Sequence, residues 1–182
     1  MGFAVSQFKS NIASNGGGAR PNLFKVKIDG NQRASALTFA DNEVILVKSA
    51  QIPGSTIAAL PINYVGRPIK YAGFRTFDNW STTIINDDDF SMRNKVMEWM
   101  RTISGQLDGE RNKEYGGYAN EAGSYFEGQA VVTQVNKDGE DGQSYTINNI
   151  WPTTLGEITL GWDSDAIEEY PVEWCFDSWK SN

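Results

Sequence analysis

The chain has 182 residues and carries 16 Lys and Arg against 23 Asp and Glu, which gives a net charge of −7. The length predicts one domain, and the acidic balance argues against nucleic-acid binding, which relies on clustered Lys and Arg. The absence of histidine and the presence of a single cysteine exclude His-dependent nucleophilic catalysis, a His-ligated zinc site and an internal disulfide. The start of the chain lacks the pattern of a signal peptide, and no apolar run reaches the ~18 residues of a membrane span. We therefore expect a soluble, intracellular protein.

The composition of the first part of the chain predicts an arm attached to one domain. Residues 1–18 are mostly polar and end in three consecutive glycines, a composition typical of a terminal segment outside the core. We predict a flexible N-terminal arm over residues 1–18 and a single domain over residues 19–182.

The domain is predicted to consist mainly of strands. Phe24, Val26 and Ile28 alternate with Lys25 and Lys27, which is the period of a half-buried strand. Similar patterns bounded by turn residues predict further strands. They cover residues 43–52, two pieces within 55–72, then 80–86, 125–135, 144–151, 157–163 and 170–179.

One segment has helical rather than strand periodicity. Residues 88–104 carry apolar side chains at helical spacing, and Asn86 or Asp87 can cap the helix. The acidic run over residues 87–89 is also compatible with a cation site, although it lacks the alternating spacing of a calcium loop. After the helix, the polar, Gly-rich segment 106–123 is long for a compact domain, which indicates a functional or mobile segment. The predicted fold is a β-sandwich or barrel with one helix.

Several side chains could carry chemistry. Asp138, Glu140 and Asp141, with Gly139 and Gly142 among them, resemble calcium ligands, but a solvated hairpin tip is the favoured interpretation. Paired carboxylates could also hydrolyse glycosides, a reaction that needs only two acids at the correct separation.

The six tryptophans raise the alternative of a carbohydrate-binding surface. Trp99, Trp162 and Trp174 lie on the apolar faces of their predicted elements, which favours core packing for these three. Trp80 and Trp179 lie at strand ends, as does Trp151, and both readings stay open for them.

Particular strings of residues resemble one protein family. They are ARPNLF (residues 19–24), GFRTFDNW (73–80), WPTTLGE (151–157), GWDSD (161–165) and FDSW (176–179). Together with the helix placed after IND (85–87), they resemble the tail tube proteins of T4-like contractile-tailed bacteriophages. The resemblance extends from residue 19 to residue 179 and departs at the arm and around residues 30–39.

The resemblance implies a structural virion protein without enzymatic activity or cofactor. Members of the family form hexameric rings that stack into a hollow tube, through which double-stranded DNA passes without specific binding. The implied partners are other copies of the chain, the tail sheath protein, and the baseplate and tail terminator proteins. The implied location is the virion tail, after synthesis in the host cytoplasm. A tube-initiating baseplate protein of the same fold and a carbohydrate-binding β-sandwich are the alternatives.

The resemblance also suggests which acids line the lumen. Because the family uses inner hairpins, the first candidates are Glu127, Asp138, Glu140 and Asp141. A second set lies on one face of the strand at residues 170–179 and could face either the lumen or the sheath: Glu169, Glu173 and Asp177. A six-membered ring of this chain would carry a net charge of roughly −42, which is large enough to matter inside a narrow channel.

Overall fold

The structure is a computed structural model that describes residues 4–14, 16–30, 46–103, 128–163 and 165–182. Within these ranges the chain forms two helices, α1 (Val5–Ser14) and α2 (Ser91–Ile103). The strands in chain order are β1 (Phe24–Asp29), β2 (Val47–Ala50), β3 (Thr56–Tyr64), β4 (Arg67–Thr76), β5 (Trp80–Ile85), β6 (Gly128–Val135), β7 (Asp141–Leu155), β8 (Glu169–Cys175) and β9 (Ser178–Ser181). The predicted mainly β fold is confirmed.

Seven strands form one antiparallel sheet that folds over on itself. Its order is β1-β6-β7-β8-β5-β2, and β9 also pairs with β7. The first part of β7 pairs with β6 and β9, whereas its last residues pair with β8. At the changeover Asn149 has a φ of 56°, a left-handed conformation that asparagine adopts more readily than most residues. Asn149 Nδ2 donates a hydrogen bond to Asp177 Oδ2 at 2.8 Å, so the bend that separates the two halves of the sheet is fixed by a side chain.

The core lies between these two halves. In β1, β5 and β8 every second residue is buried, as expected when one face of a strand packs inward. One cluster contains Val26 and Ile28 of β1 together with Tyr170, Val172 and Trp174 of β8. The halves therefore enclose a shared core as two layers of a sandwich.

Helix α2 covers part of this core. Met92, Val96 and Trp99 are buried on one face of the helix, as the sequence pattern predicts. The ring of Trp99 lies 5.7 Å from that of Trp174, centroid to centroid. Trp99 also fills the space beside Gly128, where a Cβ atom would come within 2.6 Å of the indole Cζ2.

Helix α2 begins three residues later than predicted. Residues 88 and 89 form a turn closed by a hydrogen bond from Phe90 N to Asp87 O at 3.0 Å, and Phe90 has a φ of 55°. This left-handed residue prevents the helix from starting earlier. The cap is nevertheless Asp87, as expected, because its Oδ2 accepts a hydrogen bond from Ser91 N at 3.2 Å.

The N-terminal arm contains a helix that the sequence analysis did not predict. No residue of α1 is buried, so the arm lies outside the core as expected. The glycines that follow it have φ values of 71°, 77° and 79°, a conformation that costs glycine little. Lys137 Nζ donates a hydrogen bond to Gly16 O at 2.5 Å. The flexibility of residues 1–18 stays a prediction, and segment 106–123 lies outside the described residues.

The prediction of a strand at residues 157–163 is wrong. The segment is irregular, and Trp162, predicted to be in the core, is fully exposed. Ile158, Leu160 and Trp162 alternate as in a strand, but β8 is already paired on both sides by β7 and β5. With no free edge beside it, the segment leaves the sheet as a loop.

Candidate functional site

The most exposed apolar surface of the described chain is the hairpin formed by β3 and β4, here called the apolar hairpin. It is a separate two-stranded sheet in which every residue except Gly73 is exposed. Directly paired residues share a face, and the register pairs Leu60 with Tyr71 and Ile62 with Ile69. One face is therefore apolar up to the tip, where Tyr64 pairs with Arg67.

A hairpin of this kind is not stable by itself in water. Two strands alone are at best marginally stable, and contiguous exposed apolar patches typically mark interaction surfaces. Tyr64 is 70% exposed, and both Val65 at the turn and Phe74 on β4 are 88% exposed. The apolar hairpin thus has the exposed apolar character that is typical of an interaction surface.

The base of the apolar hairpin is fixed firmly to the sandwich. Trp80 Nε1 donates to Gln51 O at 2.6 Å and Trp179 Nε1 donates to Gly54 O at 3.0 Å. On the returning side Phe77 packs on Phe176 with ring centroids 5.6 Å apart. Two tryptophans whose roles the sequence left open therefore anchor the segment that leads into the hairpin, and the hairpin itself projects from this base.

A second exposed apolar surface lies between β7 and β8, in residues 156–168, here called the acidic loop. Leu160, Trp162 and Ile167 are 77%, 108% and 72% exposed. Such exposure of a tryptophan is unusual, because aromatic side chains contribute most where they are buried in a core or an interface. An open cavity of about 360 Å³ lies beside Leu160 and Trp162 and is bounded also by Ala166 and Glu168.

Both ends of the acidic loop are held by hydrogen bonds. At the first end Arg93 Nη1 donates to Gly156 O at 3.0 Å, and Gly156 N donates to Pro171 O at 2.8 Å. At the other end Asn86 donates from its backbone N to Glu168 O at 2.8 Å and from its Nδ2 to Glu168 Oε2 at 2.8 Å. The loop is therefore presented from a fixed base.

The two surfaces carry opposite charge. The apolar hairpin contains three basic residues and no acid, whereas the acidic loop contains four acids and no base. The basic residues are Arg67, Lys70 and Arg75, and the acids are Glu157, Asp163, Asp165 and Glu168. All three basic side chains are exposed, and none forms an ion pair with another described residue.

Three of the four acids in the first set of predicted lumen residues, Asp138, Glu140 and Asp141, lie at the β6–β7 turn or at the start of β7. Asp138 and Glu140 are exposed there, in a turn closed by hydrogen bonds from Gly139 N to Asn136 O at 3.0 Å and from Asn136 N to Glu140 O at 2.9 Å. Asp141 Oδ1 instead forms an ion pair with Lys25 at 2.7 Å. Glu127 lies outside the described residues.

The second set lies on the outer side of the sandwich. Glu169 and Glu173 are exposed on one face of β8, as the alternation predicts, and Asp177 follows on the same side. Glu169 Oε1 forms an ion pair with Lys48 Nζ at 2.6 Å, and Asp177 supports Asn149. Glu173 is thus the acid of this set without such a contact among those the structure describes.

The acidic run before α2 acts as a helix cap. Burial tends to raise the pKa of Asp87, but hydrogen bonds from the hydroxyl and backbone N–H of Ser91 outweigh it and lower that pKa below the ordinary value. No group of three or more Asp, Glu or Cys side chains is placed to hold a metal ion in the part of the chain that is described. No described helix is both long and apolar enough to cross a membrane.

The fold and the two projecting surfaces are those of a subunit built to assemble with others. The chain belongs to the phage tail tube protein family, whose model matches residues 7–182. It is 31% identical over 164 residues to the tail tube protein gp19 of Enterobacteria phage T4, covering 89% of this chain and 91% of that protein.

Solved structures show the same fold. A chain in the structure of the PVC sheath/tube terminator, from an extracellular contractile injection system in the extended state, aligns with a TM-score of 0.62 at 14% identity, covering 91% of this chain and 96% of that one. A chain of the PVC sheath–tube complex aligns with a TM-score of 0.56 at 13% identity, covering 100% and 99%. The resemblance inferred from the sequence motifs is confirmed.

Proposed function

We propose that this protein is the structural subunit of the inner tube of a contractile phage tail, where hexameric rings stack into a conduit for the genome. The observation that carries the proposal is membership of the phage tail tube protein family over residues 7–182. The structure supports it physically, because a subunit with two exposed apolar surfaces on fixed bases is built for association.

A ring requires contacts between different surfaces of identical subunits. Such head-to-tail contacts close into rings when the rotation allows it, and they also cover strand edges that would otherwise pair without control. The apolar hairpin and the acidic loop are different surfaces of one chain and meet this requirement. No reaction is proposed, because the function needs only assembly and passage.

The partners follow from the proposed location in the virion tail. The solved relatives are described as a sheath/tube terminator and as part of a sheath–tube complex. By analogy we propose that a sheath protein surrounds the tube of this protein, that a terminator protein closes one end and that a baseplate protein starts the other. Glu173 on the outer face of β8 is a candidate contact with the sheath.

The acids of the β6–β7 turn are proposed to face the lumen. A conduit that passes DNA should repel phosphate rather than bind it. Asp138 and Glu140 are the best supported of the set, because they are exposed, whereas the charge of Asp141 is partly balanced by Lys25 at 2.7 Å. Glu127 stays in the proposal on the sequence alone.

Electron microscopy of the purified full chain tests the function. Rings and tubes of uniform diameter with six subunits per ring are expected. Monomers at all concentrations, or a ring with another subunit number, would refute the hexameric tube. Rings that never elongate would favour the second candidate, a tube-initiating baseplate protein, whose fold is the same.

A phage carrying Glu127→Lys and Glu140→Lys tests the lumen assignment. We expect tubes to assemble while DNA ejection slows, most clearly at low salt, where screening is weakest. The matched control is Asp88→Lys with Glu98→Lys, which makes the same two charge reversals at exposed acids outside the proposed lumen and sheath contacts and should leave the ejection rate unchanged. Normal ejection by the lumen variant at every ionic strength would remove these residues from the channel.

A further inference from the structure

We infer that the apolar hairpin of one copy docks on the acidic loop of a second copy, as one specific contact of the assembly. The inference rests on the proposed self-assembly and goes beyond it by naming which two surfaces meet. The occupant of each surface is a second copy of this chain, because each surface has the chemistry that the other lacks.

The charges of the two surfaces are complementary. The apolar hairpin carries three positive charges and no negative one, and the acidic loop carries four negative charges and no positive one. Two copies of a chain with a net charge of −7 repel each other overall. A contact that brings the basic segment of one copy onto an acidic segment of the other overcomes this repulsion locally and fixes the orientation.

Both surfaces also expose apolar side chains beside their charged residues. Ile62 and Tyr64 on the hairpin are 55% and 70% exposed, and Leu160 and Trp162 on the loop are 77% and 108% exposed. Large interfaces are organised around buried aromatic anchors with charged residues at the rim. Trp162 next to Asp163 and Tyr64 paired with Arg67 supply an anchor and a rim charge on each side.

Both surfaces are preorganised by hydrogen bonds at their bases. Trp80 and Trp179 hold the segment that leads into the hairpin, while Arg93 and Asn86 hold the two ends of the loop. Because both surfaces are presented from fixed bases, docking orders only their outer residues. Less conformational entropy is then lost on association.

Paired charge reversals test the contact. The hairpin-reversed protein carries Arg67→Glu, Lys70→Glu and Arg75→Glu, which changes the charge of the hairpin from +3 to −3. The loop-reversed protein carries Glu157→Lys, Asp163→Lys and Asp165→Lys, which changes the charge of the loop from −4 to +2. When either variant is alone, every contact between the hairpin of one copy and the loop of another joins like charges. Each variant should therefore need a protein concentration about tenfold higher, or more, to assemble. An equimolar mixture should assemble like the unchanged chain, because each hairpin then finds a loop of opposite charge on the other protein.

The mixture distinguishes a contact between chains from one within a chain, since only the former is restored by mixing. The control combines the hairpin reversal with Glu98→Lys, Asp138→Lys and Glu140→Lys, which returns the net charge from −13 to −7 at places outside the loop. This control should stay defective. A second variant, Trp162→Ser, removes the anchor without changing charge and should also weaken assembly, while its unfolding midpoint stays unchanged because the side chain is fully exposed.

The outcomes separate this contact from the proposed function. Normal assembly of either reversed protein alone, failure of the mixture, or rescue by the control would each overturn the contact while leaving tube formation by the unchanged chain intact. Absence of rings and tubes for the unchanged chain would instead refute the proposed function. When the reversed proteins stop as isolated rings, the contact lies between rings, and when they stop as monomers it lies within the ring.

Discussion

Replacing Trp99 by alanine tests how the helix is attached to the sandwich. Trp99 is 2% exposed and contacts the ring of Trp174 at 5.7 Å, which itself lies 6.4 Å from the ring of Trp80. The substitution removes the central contact between α2 and the sheet and leaves a cavity lined by large side chains. Truncation of a buried tryptophan costs about 3–5 kcal/mol, a large part of the 5–15 kcal/mol that typically stabilises a domain.

The change should be measured by denaturant unfolding at concentrations where the chain is monomeric, with thermal unfolding alongside. A loss of this size should lower Tm by about 6–20 °C for a domain of this length. Trp162→Ala is the matched control, because the same atoms are removed from a side chain that is fully exposed. Its free energy of unfolding should change by less than about 0.5 kcal/mol.

Equal unfolding midpoints for the two variants would show that the burial of Trp99 does not determine the loss of stability. A full loss of assembly by Trp99→Ala with an unchanged midpoint would place this side chain in a contact between subunits instead of in the core.

Three further predictions follow from the fold. Gly128→Ala should destabilise by roughly 1–3 kcal/mol in denaturant unfolding, because the new Cβ would lie 2.7 Å from Ile150 O and against the indole of Trp99; Gly54→Ala, with no atom within 4 Å, should have little effect. Asp87→Ala should cost about 0.5–2 kcal/mol as a lost helix cap. Folding lowers the pKa of Asp87 from 3.8. The native chain should therefore have the higher free energy of unfolding above that pH, and its difference from Asp87→Ala should shrink as the pH falls through the folded-state pKa. Unfolding curves at a series of pH values measure this difference. Deleting residues 2–18 should leave the unfolding midpoint unchanged, since no residue of α1 is buried, while tubes seen by microscopy become short and rare; full-length tubes from the truncated chain would show that the arm has no role in stacking.

Strands whose side chains alternate between core and solvent were predictable from the sequence alone. Val26 and Ile28 in β1 and Val172 and Trp174 in β8 are buried as their spacing predicts. The helical spacing of Met92, with two buried partners on the same face, likewise identified α2. These patterns are readable because each repeats with the period of the element that carries it. The family resemblance was also readable, since its motifs extend along most of the chain.

Other features were decided by the tertiary structure. Residues 157–163 have the alternation of a strand, yet both edges of β8 are occupied by β7 and β5, so the segment became an exposed loop. A strand needs a free edge to pair with, and local sequence carries no information about which edges are free. The first residue of α2 was likewise not predictable from local sequence, because the conformation of Phe90 depends on the turn that Asp87 closes.

The apolar hairpin and the acidic loop, the two surfaces proposed to meet in the assembly, also combine features that the sequence predicts with features that only the fold reveals. The sequence identified the strands of the apolar hairpin, but alternation says only which residues share a face and not whether that face meets the core. Only the fold places Leu60, Ile62 and Tyr64 in solvent and leaves Trp162 uncovered on a loop. A pattern of hydrophobicity is the same whether the covering surface belongs to the same molecule or to another one, so the exposure of these side chains could not be predicted from the sequence.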